Sequence, residues 1–322
     1  MQENFCVDAA SDACNEEALI KIGIFLKTSK YQFSTVTPAS HARVNRRQQN
    51  ALAFDLRGVF GWTRPFESRI LPASIFQLMQ RANILRSLGA GQWRSTARFS
   101  TLDQWIFVHS AYPTTESDAV FFGPDTVRFV NAIQAHLATV DRSVVIAADI
   151  GCGAGPGGIA IASRVPSATV LMLDINKVAL QASRVNAALN ATPNAGAIES
   201  NILSSARGPF DLIVSNPPYL IDKAGRAYRH GGGEFGEGLS LRIIRESMPK
   251  LSTGGTLLLY TGSAVINGID GFREAAERIV SELGSTCAYA EVDPDVFGEE
   301  LDNPPYTTAD RIAAVVLTAT KR

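Results

Sequence analysis

From about Val144 onward, short β-branched runs alternate with longer stretches of helical spacing. That rhythm admits few folds other than a parallel sheet covered by crossover helices. The runs fall at 144–150, 169–174, 197–199, 210–215, 256–260, 286–292 and 311–317, which makes seven strands. Helical spacing fills 157–165, 177–189, 238–249 and 271–283; nothing comparable separates the last two strands, so these are expected to pair antiparallel. Ahead of this, over 17–90, apolar residues such as Phe60, Ile70, Ile75, Leu78 and Met79, then Ile84, Leu85 and Leu88, recur at three- and four-residue spacing, which predicts helices and little strand. The chain thus divides into a mainly helical N-terminal domain over 1–115, a candidate substrate or cap domain, and an α/β domain over 116–322, with the junction around Ser110–Asp118.

The first strand of the α/β part runs into Asp149-Ile150-Gly151-Cys152-Gly153-Ala154-Gly155-Pro156-Gly157-Gly158. Glycines at a strand-to-helix handover permit a tight turn and a close approach of backbone to ligand. A dinucleotide site would present this turn to a pyrophosphate, whereas a carboxylate at Asp149 favours an ammonium. S-adenosylmethionine (SAM) has an ammonium, a sulfonium and no phosphate, and its carboxylate suits the N–H groups opening the next helix. The second strand ends at Asp174, where a carboxylate can accept from both ribose hydroxyls, with Ile175 beside it. After the third strand come Asn201 and Ile202, and the Asn201 carbonyl can accept from an adenine amino group. The expected cofactor site is therefore Asp149, Gly151, Cys152, Gly153, Gly155, Asp174, Ile175, Asn201, Ile202 and Asn216.

The fourth strand, 210–215, leads directly into Asn216-Pro217-Pro218-Tyr219. An Asn oxygen and a proline carbonyl can each accept one N–H of a planar nitrogen, and proline stiffness holds that geometry. Tyr219 can lie against the planar group or the sulfonium. Asn216, Pro217, Pro218 and Tyr219 are the expected catalytic residues. The tetrapeptide recurs at Asn303–Tyr306 with no strand leading into it, and that copy reads as a turn.

With the loop, Asp174 and the strand-borne Asn216–Tyr219 in place, the sequence resembles the class I SAM-dependent amino-methyltransferases, and among them the glutamine N5-methyltransferases that modify release factors. The resemblance covers about 120–317 and implies a Rossmann-like seven-stranded domain beside a helical N-terminal domain. Phe122-Gly123-Pro124-Asp125-Thr126 lies where those enzymes carry Arg-Pro-Glu-Thr. Here Gly123 replaces the arginine, Asn201 replaces an acid, and a glycine-rich insert over 228–238 departs from the family pattern. That insert reads either as a lid or as a surface loop. Tyr112, Phe122 and Tyr228 are candidate walls of the substrate pocket, and His109 and His230 candidate bases that more often are structural.

Net charge is −1, so no overall field holds the protein on nucleic acid or an anionic membrane. Between His41 and Ser100, however, ten arginines face only Asp55 and Glu67, a formal +8, read as solvated faces and internal ion pairs or as an anion-binding surface. Cys6, Cys14, Cys152 and Cys287 show no metal-ligand spacing and suggest a reducing compartment; with Met1–Asn4 unlike a signal peptide and no long apolar run, a soluble cytoplasmic protein is expected. The expected activity is SAM-dependent N-methylation of an amide or amine on a protein or small molecule. One alternative is a SAM cyclase forming azetidine-2-carboxylate and methylthioadenosine, which requires the acceptor side to be plugged by the N-terminal domain. Another is adenine N6-methylation of a nucleic acid, placed last because no binding module is apparent and the catalytic half is acidic.

Overall fold

The computed structural model describes residues 5–114, 116–222, 226 and 228–322, with side chains from residue 13 onward. The expectations for Met1–Asn4 and for the Cys6 side chain therefore lie outside the described residues. The chain opens with α1 (Phe5–Thr28), α2 (Pro38–Asn45), α3 (Leu56–Phe60) and α4 (Ala73–Arg81). Ala18, Leu19, Ile22 and Leu26 form the buried stripe of α1, and Gly23 lies so close to Leu189 that a Cβ would meet its side chain at 2.5 Å.

The N-terminal region is helical for its first part only. β1 (Phe66–Glu67), β2 (Leu85–Gly89) and β3 (Gln92–Ser95) form a three-stranded sheet in the order β1-β3-β2, and β4 (Ala97–Leu102) pairs with β5 (Trp105–Ser110) as a hairpin. Leu85 and Leu88, expected in a helix, lie instead in β2, and Ile84 just precedes it. Leu88 is exposed, so its helical spacing from Leu85 does not mark a buried face. The turn Gly89-Ala90-Gly91, all at positive φ, decides for a hairpin.

The α/β domain follows the sequence rhythm closely. Its strands are β6 (Ile146–Ile150), β7 (Thr169–Asp174), β8 (Ala195–Glu199), β9 (Phe210–Ser215), β10 (Leu251–Ile266), β12 (Thr286–Asp293) and β13 (Arg311–Thr320), with the short β11 (Ile269–Asp270) turning back on β10. Their order is β12-β13-β10-β9-β6-β7-β8; the five from β6 to β10 run parallel, and β13 lies antiparallel to both β10 and β12. α6 (Pro156–Arg164), α7 (Lys177–Leu189), α8 (Gly238–Ser247) and α9 (Gly271–Glu282) match the expected helices. α5 (Pro124–Thr139) was absent from the sequence expectation; it opens with Pro124 and buries Phe129, Val130 and Ile133 on α6. α5, α6 and α7 cover one face of the sheet, α8 and α9 the other.

The N-terminal region sits on α7. Val185 and Leu189 join its core, the Asn186 side chain pairs with both the N–H and the C=O of Val108 at 2.7 and 3.0 Å, and Asn190 pairs likewise with Ile106. Two amides thus replace the missing partner strand of β5, satisfying backbone groups that burial would otherwise orphan.

Candidate functional site

The strand ends Ile150, Asp174, Glu199 and Ser215 open onto one edge of the sheet, where ligands of open α/β folds bind. The loop after β6 is held from three sides. Cys152 N–H donates to Leu173 O (3.0 Å), Gly153 N–H to Asp174 Oδ2 (2.9 Å) and Gly158 N–H to Asp149 Oδ2 (2.8 Å). Gly155 has φ +81°, and a Cβ there would meet Met172 Sδ at 2.9 Å, so only glycine lets α6 start so close to β7. Gly151, also at positive φ, would meet nothing within 4 Å, which leaves its surface open for a ligand.

A cavity of about 230 Å³ lies over this loop. Gly151, Cys152, Gly153, Asp174, Ile175, Asn201, Ile202, Asn216, Pro217, Pro218, Tyr219 and Tyr228 all line it. The glycine loop and the Asn216–Tyr219 corner therefore face one space. Ser215 Oγ donates to Ile150 O at 2.8 Å, which locks the end of β9 to the end of β6. Ile202 has φ +53°, unusual for a β-branched residue and a local strain at the cavity wall.

Asp149 does not line this cavity. Strand alternation turns it to the α5/α6 face while Ile150 faces the opening, and it is only 1% exposed. Burial pushes its carboxyl up to about 7 against the opposing pull of the Gly158 N–H. It braces the loop from beneath. The opening of α6 also offers a carboxylate less than expected: Pro156 has no N–H, and that of Gly158 is already taken by Asp149. Asp174 faces the cavity, with burial raising its carboxyl and the Asn176 and Gly153 N–H groups lowering it.

Tyr112 and Phe122 stand away from the cavity. Tyr112 packs on His41, with centroids 4.8 Å apart, and Phe122 stacks on His109 at 4.9 Å. Phe121, the neighbour with the opposite orientation, lines the cavity in place of Phe122. His109 is buried, pairs with Ser100 Oγ at 2.8 Å and is held neutral by burial and by Arg98, while His230 is exposed and accepts from Asp222 N–H. Neither histidine reaches the cavity.

Residues that sequence reasoning did not assign complete the wall: Asp125, Phe129, Arg229 and Phe297. Asp125 accepts from Tyr260 OH (2.7 Å) and Arg128 Nη1 (3.1 Å). Its only sequence signal was its place in the Phe122–Thr126 segment. Tyr219 lies beside Asp125, edge-on to Phe297 and over Gly262, and its buried hydroxyl has no partner among the described residues.

The second Asn-Pro-Pro-Tyr copy turns out to serve the first. Tyr306, 1% exposed, accepts from Ile221 N–H and donates to Phe235 O, each at 2.9 Å. The described part of the insert is no slack lid. Gly231 N–H donates to Leu220 O, Leu220 N–H to Arg229 O, and a Cβ on Gly236 would meet Tyr219 O at 2.1 Å. Gly231 and Gly236 serve close packing on the corner.

Residues 129–266 match the model of the methyltransferase small domain. Over 198 residues the chain is 31% identical to a release factor glutamine methyltransferase of Deinococcus radiodurans, covering 58% of this chain and 66% of that protein. A ribosomal RNA small subunit methyltransferase C of Salmonella arizonae is 33% identical over 115 residues, covering 36% of this chain and 30% of that one. The solved structure of TYW2 from M. jannaschii in complex with AdoMet covers 70% of this chain and 85% of its own, at 13% identity and a TM-score of 0.48. The match thus spans just under two thirds of the first relative's length and less than a third of the second's. Among the described residues no helix is long and apolar enough to cross a membrane, and no cluster of His, Cys, Asp and Glu is placed to hold a metal.

Proposed function

We infer that this class I, SAM-dependent methyltransferase transfers its methyl group to a planar nitrogen held at Asn216–Tyr219. One observation carries the reading: the glycine loop, Asp174 and the Asn216 corner line one cavity, tied together by the Ser215–Ile150 hydrogen bond. Bound SAM supplies an electrophilic methyl on a sulfonium. The Gly151–Ala154 backbone would cradle the cofactor, the Asp174 carboxylate would hold its ribose and Asn201 would face its adenine. Asn216 Oδ1 and Pro217 O each accept one N–H of the acceptor and so aim the nitrogen lone pair at the methyl. Neutral acceptors suffice, because the nitrogen can release its proton after the new bond has formed.

Relatives named for a release factor glutamine and for ribosomal RNA point to a macromolecular acceptor, a protein amide or a nucleic-acid base. The exposed Arg43, Arg46, Arg47 and Arg86 leave room for either, so the basic segment argues against setting nucleic acid aside. Cyclisation of SAM would need the N-terminal domain to plug the acceptor side, and among the described residues no cavity-lining one precedes Ala119. Incubation with SAM bearing a trideuterated methyl, with and without cell extract, tests the reading. S-adenosylhomocysteine formed only with extract, with the label on nitrogen, is expected. Methylthioadenosine from SAM alone would overturn it.

A further inference from the structure

Residues 41–70 carry four more arginines than acids and no lysine. Both acids are already engaged, Asp55 by Arg57 at 3.3 Å and Glu67 by Arg69 at 2.6 Å. Arg43, Arg46 and Arg47 are exposed and form no ion pair among the described residues. Helical spacing sets Arg43 and Arg46 on the outer side of α2, because His41 and Asn45, one turn apart, face inward onto Trp62 O at 3.1 and 2.9 Å. From Arg47 the chain enters the 3-10 turn Gln48–Asn50, which Asn50 Nδ2 ties back to Val44 O at 2.7 Å. Gln48, Gln49, Leu52 and Phe54, together with Arg69 and Ile70, then line a groove of about 390 Å³. Phe54 is 67% exposed, more than any other large hydrophobic side chain among the described residues, and Leu52 is 40% exposed. Two exposed apolar side chains beside unpaired cations and glutamine amides mark a binding surface.

We propose that α2, the turn after it and this groove bind a single-stranded nucleic acid, the arginines holding phosphates and Phe54 stacking on an unpaired base. The proposal rests on the reading above of a methyltransferase with a macromolecular acceptor. A nucleic acid strand presents phosphates at regular intervals with a planar base beside each, which matches the cations and the ring together. An acidic peptide matches the cations alone, and a duplex keeps its bases stacked inside, away from the ring. The face also adjoins the cavity. His41 of α2 packs on Tyr112 with centroids 4.8 Å apart; two residues on, at most about 7 Å of chain, Thr114 O accepts from the Tyr228 hydroxyl at 2.6 Å, and Tyr228 lines the cavity. A strand seated on α2 thus has a short path past Tyr112 to Asn216–Tyr219.

Fluorescence anisotropy of the whole protein, without SAM, on a labelled uridine strand of about 20 nucleotides tests this. Kd should rise about 20-fold between about 50 and 200 mM salt, a log–log slope of about −2 in affinity set by three phosphate contacts. The double variant Arg46→Ala/Arg47→Ala should cut the slope to about −0.7 and weaken binding at least about tenfold at the lower salt. Phe54→Ala should weaken it about 5- to 100-fold with the slope unchanged, because stacking releases no counterions. Arg278→Ala, exposed on α9, should bind as wild type. All these side chains lie on the surface, so thermal midpoints should stay within about 2 °C of wild type. Binding is read without methyl transfer: a chain that docks the strand yet methylates nothing contradicts the reading above and supports this one. A salt-independent Kd, wild-type affinity in Arg46→Ala/Arg47→Ala or in Phe54→Ala, or a duplex or a polyglutamate peptide bound as tightly as the single strand would each overturn the proposal.

Discussion

The tetrapeptide Asn-Pro-Pro-Tyr occurs twice in this chain, and the two copies do different work. Asn216–Tyr219 continues β9 to the sheet edge and lines the cavity; Asn303–Tyr306 sits in a turn before β13 and braces the first copy from behind through the Tyr306 hydroxyl. The same split divides two acids. Asp174 faces the cavity, whereas Asp149 is buried beneath the loop on Gly158 N–H. Identical chemistry at the strand end and one layer behind it gives a contact in one case and a support in the other.

The contrast is sharpest between the two asparagines. Asn216→Ala should lower kcat by about 10³-fold or more with SAM affinity altered by less than about threefold, whereas Asn303→Ala should change neither by more than about twofold. Comparable losses in both variants would erase the distinction. Next in size, Asp174→Asn should weaken SAM binding by about 10- to 100-fold by calorimetry, through loss of a charge-assisted bond to the ribose.

Asp149→Asn should act on stability, with a sign set by pH. In the unfolded chain the carboxyl loses its proton near 4, in the folded one only near 7. Below 4 both states hold the proton; between 4 and 7 folded wild type alone holds it, so its stability falls as pH rises, and above 7 the loss is complete. The ligand-free variant should therefore match wild type at pH 4 and exceed it at pH 8 by about 2–4 kcal/mol in denaturant titrations. A gain independent of pH would refute the assignment. Smallest is Tyr306→Phe, which strands the Ile221 N–H and should cost about 1–3 kcal/mol. Its kcat should fall more than that of Asn303→Ala, since the hydroxyl holds the corner.

How far each feature was legible follows the same line. The strands of the α/β domain, its terminal antiparallel pair, the loop and the first tetrapeptide announce themselves through short-range pattern: β-branched runs, glycines and prolines at strand ends. Leu85 and Leu88 misled because three-residue spacing also occurs in an exposed strand, where no packing enforces a period of two. Asp149 was read as facing the ligand because its neighbours in sequence do; strand alternation points it away. The roles of Asp125 and Phe297 depend on tertiary placement that no local spacing encodes.

The central claim is that cofactor sulfur and acceptor nitrogen meet over one sheet edge. A crystal structure with S-adenosylhomocysteine tests it most directly. The ribose hydroxyls should rest on Asp174, with the sulfur turned toward Asn216 and the Pro217 carbonyl. A ligand bound outside this cavity, or one whose sulfur faces away from Asn216, would contradict the account.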